Sequence, residues 1–160
     1  MTPPPEAPPE ALADRASSRD GDRLFFHASA VALEDKGVLI LGPSGSGKST
    51  LALALLAQGT KLICDDGVWL KDGQLHRPDK APDLIEARGV GLLFAGPIRP
   101  QAPLSLVVDL SRAEPKRLPP RRMVSVQDQR VELILAAGQT TLAASLIHLL
   151  RHGRADPDIN

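Results

Sequence analysis

The segment 42–49, GPSGSGKS, constrains this chain more than any other. Gly42, four residues, then Gly47, Lys48 and Ser49 form the complete pattern of a phosphate-binding loop. The spacing works because glycines let backbone N–H groups turn inward around phosphate oxygens, and a following helix adds its own amide donors and partial positive charge. The flanks agree. GVLIL before the loop is short and apolar enough for a buried strand, and KSTLALALLAQG after it carries leucine and alanine at helical spacing up to a glycine stop at Gly59. Strand, loop and helix predict that Gly42, Pro43, Ser44, Gly45, Ser46, Gly47, Lys48, Ser49 and Thr50 cradle the phosphates of a nucleotide. Lys48 would reach the β and γ phosphates, and the Ser49 hydroxyl would ligate Mg²⁺.

Composition narrows what such a loop could serve. At 160 residues the chain has the length of one domain, so a large second partner must dock on its surface. Lysine plus arginine and aspartate plus glutamate balance at 19 each, leaving no global field to attract nucleic acid or an anionic membrane. The single cysteine, Cys64, forms no internal disulfide and reads as a small core residue. No charged and then apolar leader opens the chain, and no apolar run approaches the ~20 residues that cross a bilayer. A soluble cytoplasmic protein is expected.

Residues 1–21, rich in proline, alanine and charge, read as a disordered leader, residues 22–153 as the folded domain and residues 154–160 as a flexible tail. LFFHASAVAL reads as a half-buried strand, KLIC as a short strand delivering Asp65 and Asp66, and VWLKDGQLHRP as a hairpin turning at its DG pair. LSLVVDL, MVSVQ and RVELILA suggest further strands before a last helix, TTLAASLIHLLRHG. The expected fold is α/β: a mainly parallel central sheet of the P-loop kind flanked by helices, with an antiparallel hairpin added near Trp69 to His76. GQTTLAAS faintly echoes a phosphate loop but lacks the lysine and is given no such role.

A phosphate loop says only that a nucleotide binds; the carboxylates must say what receives the phosphoryl group. Asp65 and Asp66, adjacent at a strand end, point opposite ways if the strand stays regular, so one can face the metal and the other the acceptor. The same pair could be a strand-ending turn before Gly67, a reading that the phosphate loop upstream makes the lesser one. Glu86, flanked by apolar residues, is either a partly exposed strand residue or a metal ligand. Arg88 with Gly89 and Gly91 could form an anion-binding turn or mark a tight bend. His27 alone reads most simply as a packed or surface side chain, and Arg117, Arg121 and Arg122 as solvated loop charges.

Four blocks in order, HASAVAL, GVLILGPSGSGKST, LICDDGVWL and LIEARGVGLL, resemble the catalytic domain of the bacterial HPr kinase/phosphorylase family over about Phe26 to Phe94. The glutamate-x-arginine-glycine-x-glycine block is the most telling, because ordinary P-loop ATPases do not carry it at this distance from an acidic pair. The resemblance implies an ATP- and Mg²⁺-dependent serine kinase acting on the phosphocarrier protein HPr. It places His27 on the family's active-site histidine, Lys48 on its loop lysine, Ser49 and Glu86 on its magnesium ligands, and Asp66 on its proton acceptor, with Asp65 beside it. Arg117, in KRLPP, is the best counterpart of a further active-site arginine. The family's ring assemblies imply a homo-oligomer, a hexamer, for which LLFAGPI offers apolar surface. The family's amino-terminal domain has no counterpart here, as in its short forms, and AAGQTTLAAS stands where a block associated with dephosphorylation would be, which weighs against phosphorylase activity. A small-molecule kinase, or a nucleotide-binding switch with little turnover, is the alternative.

Overall fold

A computed structural model describes residues 9–156. Its centre is a curled sheet in two halves. The first half runs in spatial order β6 (Lys61–Cys64), β4 (Ser29–Leu33), β5 (Lys36–Leu41), β11 (Gln101–Asp109), β13 (Gln129–Leu135), β12 (Arg122–Val126) and β1 (Glu10–Ala11). The second comprises β8 (Gln74–His76), β7 (Val68–Lys71), β3 (Arg23–Phe26) and β2 (Ser18–Asp20). The nine-residue β11 joins them: Gln101–Pro103 pair with β8, and Leu104–Asp109 with β5. Helices α1 (Lys48–Ala57) and α2 (Leu142–His152) pack on one face of the first half over Val31, Val38, Ile40, Leu106 and Val108. The other face buries Phe26, Leu39, Ile63, Val107 and Leu133. A separate hairpin, β9 (Leu84–Ala87) with β10 (Gly91–Phe94), lies against α1.

The α/β class and the hairpin at Trp69–His76 are present, but the sheet is not mainly parallel. Only the β1–β12, β5–β11 and β11–β13 pairs run parallel among the described residues. Short connections explain this, since a two-residue turn can only return a strand antiparallel to its predecessor. Glu34 and Asp35 join β4 to β5, Asp72 and Gly73 join β7 to β8, and Gln127 and Asp128 join β12 to β13. A phosphate loop dictates one strand–loop–helix unit and nothing about these neighbours. The expected strand over LFFHASAVAL is likewise broken at His27 and Ala28, where the chain leaves the second half of the sheet for the first.

The expected leader also ends earlier than residue 21. Glu10–Ala11 pair with Val124–Ser125, Leu12 is buried in the core, and Ser18–Asp20 pair with β3. Arg15 is anchored to the buried Asp109, Nη1 donating to Oδ2 at 2.8 Å and Nη2 to Oδ1 at 3.3 Å. One leucine, one arginine and two short strand pairings dock a segment whose composition reads as disordered. At the other end Arg154 forms an ion pair with Glu132 at 2.7 Å, so the tail is held at its first residue. Residues 1–8 of the expected leader and 157–160 of the tail lie outside the described residues.

Candidate active site

The phosphate loop connects the carboxyl end of β5 to the amino end of α1. Gly47 adopts a left-handed φ of 100° directly before the first helical residue, a conformation that side chains resist. At Gly42 a Cβ would stand 2.4 Å from Ser46 Oγ, so only glycine fits there. The Ser46 amide donates to the Pro43 carbonyl at 3.1 Å, closing the loop on itself. Lys48 Nζ donates to the Gly42 and Pro43 carbonyls at 2.7 and 3.1 Å, which holds its charge across the loop.

Ser49 turns from α1 toward Asp65, its Oγ donating to Oδ1 at 2.9 Å and to Oδ2 at 3.0 Å. Ser29 Oγ donates to the same Oδ1 at 2.6 Å. Asp65 is thus fixed from two elements, by the helix that follows the loop and by the inserted strand β4. The acidic pair does not sit in a regular strand. β6 ends at Cys64, and Asp66 takes a φ of 66°, which aspartate tolerates better than most residues. Both carboxylates therefore line one cavity instead of diverging. Asp65 is half-buried on the Ser49 side and Asp66 is exposed.

That cavity, about 560 Å³, is lined by His27, Ser29, Gly42, Pro43, Ser44, Gly45, Gly47, Lys48, Ser49, Thr50, Asp65, Asp66, Glu86 and Arg88. Glu86 and Arg88 come from the β9–β10 hairpin, whose turn passes through Gly89 with a φ of 82°. His27 is placed by its neighbours: its amide donates to Ser17 Oγ at 3.2 Å, and its ring meets Phe25 edge-on at 5.3 Å. Phe25 in turn packs on Trp69, with ring centres 5.0 Å apart. Cys64 lies behind Asp65; burial pushes its thiol up from the ordinary range, consistent with a core role.

Arg117 is not among the lining residues. The loop after β11 is pinned by Glu114, which accepts from Arg122 Nε at 2.8 Å and Nη2 at 2.9 Å, and Arg117 instead borders a hollow shared with Pro119, Leu135 and Gln139 near α2. The arginine at the cavity is Arg88, left unassigned between a tight bend and an anion site. Ser29 was not among the expected residues. Alternation could not have found it, because the break at His27 and Ala28 takes Ser29 into a different strand from Phe26, one that is buried throughout.

Among the described residues no helix is long and apolar enough to cross a membrane. The family model described as HPr Serine kinase C-terminal domain matches residues 21–136. Named relatives include an HPr kinase/phosphorylase of Azoarcus sp. (strain BH72), 33% identical over 76% of this chain and 42% of its own length. Another, from Brevibacillus brevis, is 40% identical over 58% of this chain and 33% of its own. The chain thus spans about a third to two fifths of the length of these relatives. A solved structure of the Hpr(Ser) kinase/phosphatase from Coxiella burnetii superposes with a TM-score of 0.63 at 27% identity, covering 79% of this chain and 88% of the other. Because the family match takes in every segment that builds the cavity, this chain belongs to the HPr serine kinase C-terminal domain family.

Proposed function

We propose that this chain is a serine protein kinase that transfers the terminal phosphoryl group of ATP, with Mg²⁺, to a seryl hydroxyl of the phosphocarrier protein HPr. The observation that carries the reading is the Ser49–Asp65 contact beside Lys48, which joins the phosphate loop to a carboxylate in one cavity. Asp65, Asp66 and Glu86 share that cavity with Lys48 and Arg88; among the described residues the carboxylates do not by themselves form a metal cage, so a divalent cation would take part of its ligands from the Ser49 hydroxyl and the nucleotide phosphates. Ser49, Asp65 and Glu86 would hold Mg²⁺, which when bound would offset charge on the phosphate oxygens.

The loop amides and Lys48 orient the phosphates. Exposed Asp66 receives the acceptor hydroxyl and takes its proton; in a loose phosphoryl-transfer transition state that proton leaves late, so position matters more than basicity. Arg88 lies where it can offset charge on the transferring group, the part that the resemblance gives to Arg117. His27 contributes to the wall of the same cavity. The hexameric ring and cytoplasmic setting that the resemblance implies belong to the same proposal, and light scattering of the purified chain tests the ring. Dephosphorylation is not included.

The test is transfer of labelled phosphate from ATP with Mg²⁺ to purified HPr. Transfer that disappears with Asp66→Asn, or with an acceptor lacking its serine, supports the reading. ATP binding without transfer to wild-type acceptor replaces it with a nucleotide-dependent switch, and transfer to a small molecule in place of HPr makes the chain a small-molecule kinase.

A further inference from the structure

The hairpin that brings Glu86 into the cavity also carries three of the four large apolar side chains exposed among the described residues. Phe94 is 90% exposed, Val90 76% and Leu92 69%. Register decides which way they face. Cross-strand partners share a face, and Leu92 pairs with Glu86, Phe94 with Leu84, and Leu93 with Ile85. Ile85 and Ala87 are buried, and Leu93 packs against the same core under α1, so that face is spent on the fold. The opposite face presents Glu86 at the cavity wall and continues outward through Leu92 and Phe94.

We infer that this outward face of the hairpin docks the protein that carries the acceptor hydroxyl, through an apolar patch beside its serine. The inference rests on the kinase reading above. Leu92 and Phe94 belong to the LLFAGPI stretch that the resemblance would give to the ring, but two arguments favour an acceptor over a second copy of this chain. Anything seated on Leu92 lies next to Glu86, hence at the mouth through which the hydroxyl must enter, and a permanent occupant would stand over it. Leu92 and Phe94 together expose roughly 300 Å² of apolar surface, less than half of the ~800 Å² per partner that stable interfaces bury. That extent suits a partner that binds, reacts and leaves.

Because Phe94 is almost wholly exposed, its replacement spares the core. Phe94→Ser and the Leu92→Ser/Phe94→Ser double variant are compared with wild type for HPr phosphorylation, affinity for a fluorescent ADP analogue, and mass by light scattering. Phe94→Ser is expected to raise KM for HPr about tenfold, as loss of a buried aromatic anchor does. The double variant should raise it further, and Phe94→Leu should recover most of the loss. Nucleotide affinity and mass should match wild type. An unchanged KM for HPr in the double variant overturns the docking surface while leaving the kinase reading intact. A fall in mass reassigns the face to contacts between copies. Absence of transfer by the wild-type chain removes the kinase reading, and the docking surface with it.

Discussion

Arg15→Ala tests whether the segment before β2 belongs to the folded domain. Asp109 is fully buried and accepts from Arg15 Nη1 at 2.8 Å, Arg112 Nε at 2.8 Å, Ser111 Oγ at 2.6 Å and the Ser111 amide at 2.9 Å. Burial pushes the carboxyl up, but the hydrogen bonds from Arg15, Ser111 and Arg112 outweigh it and hold the group well below the usual carboxylate range. Removing Arg15 deletes one short charged bond and one long one, and leaves Arg112 and Ser111 to satisfy the carboxylate. With hydrogen bonds to charged groups worth ~1.5–3 kcal/mol, the expected cost is about 2 kcal/mol. At this chain length that lowers Tm by roughly 4–8 °C. Asp109→Asn should cost more, about 3 kcal/mol, because it weakens every bond at once and leaves two guanidinium groups facing an uncharged amide. The assay is thermal and urea unfolding of both single variants and the double. A coupling of about 1–2 kcal/mol is expected, since the two residues touch. The pH arm has a definite sign. The folded-state pKa of Asp109 lies below the unfolded value of ~3.9, so its stabilisation is complete above about pH 5 and is lost as pH falls through ~4 and lower. The gap between wild type and Asp109→Asn should therefore close on acidification. An Arg15→Ala variant within 0.5 kcal/mol of wild type, or a gap that stays constant to low pH, would refute the reasoning.

Three further outcomes follow from the site and its surroundings. Lys48→Ala should lower kcat by about 10²–10³ and weaken ATP binding, measured by steady-state transfer and calorimetry, because the cavity loses a charge that no neighbouring lysine replaces. Asp65→Asn keeps the shape that accepts from Ser49 but loses the charge, so the Mg²⁺ concentration for half-maximal activity should rise about 10–100-fold. Gly67→Ala places a Cβ 2.9 Å from Phe25 Cζ, and displacing that ring should cost about 1–2 kcal/mol and alter the emission of the single tryptophan, Trp69, which it contacts.

The parts legible in the sequence are those whose information is local. GPSGSGKS specifies its turn, its helix start and its lysine within eight residues, and the DG pair at Asp72–Gly73 specifies a hairpin. What was not legible depends on partners distant in sequence. Nothing in ADRASS announces that Arg15 will meet Asp109, ninety-four positions away, or that Leu12 will fill a gap under β12. Sheet direction was misjudged because the phosphate loop carries its strand and helix with it, but not the hairpin neighbours β4 and β8. The roles of Asp65 and Asp66 could not be separated by alternation, since the strand stops one residue too soon and Asp66 turns left-handed. Arg117 was placed by resemblance through a proline-broken loop, whose course is decided by the pairing of Glu114 with Arg122.

The break at His27 and Ala28 puts this histidine, like Asp66 between β6 and β7, where the chain crosses from one half of the sheet to the other. Lys48 and Ser49 are carried by α1, Asp65 by the end of β6 and Glu86 by a hairpin packed on α1, all belonging to the α1 side of the molecule. His27 stands at the joint between the two halves of the sheet, next to a fully buried alanine and tethered through its amide to Ser17 of the docked amino-terminal segment. A change in how the halves meet would therefore shift its ring. Its imidazole resonances would serve as a spectroscopic protractor, able to separate a ligand that settles within the loop from one that bends the whole sheet around it.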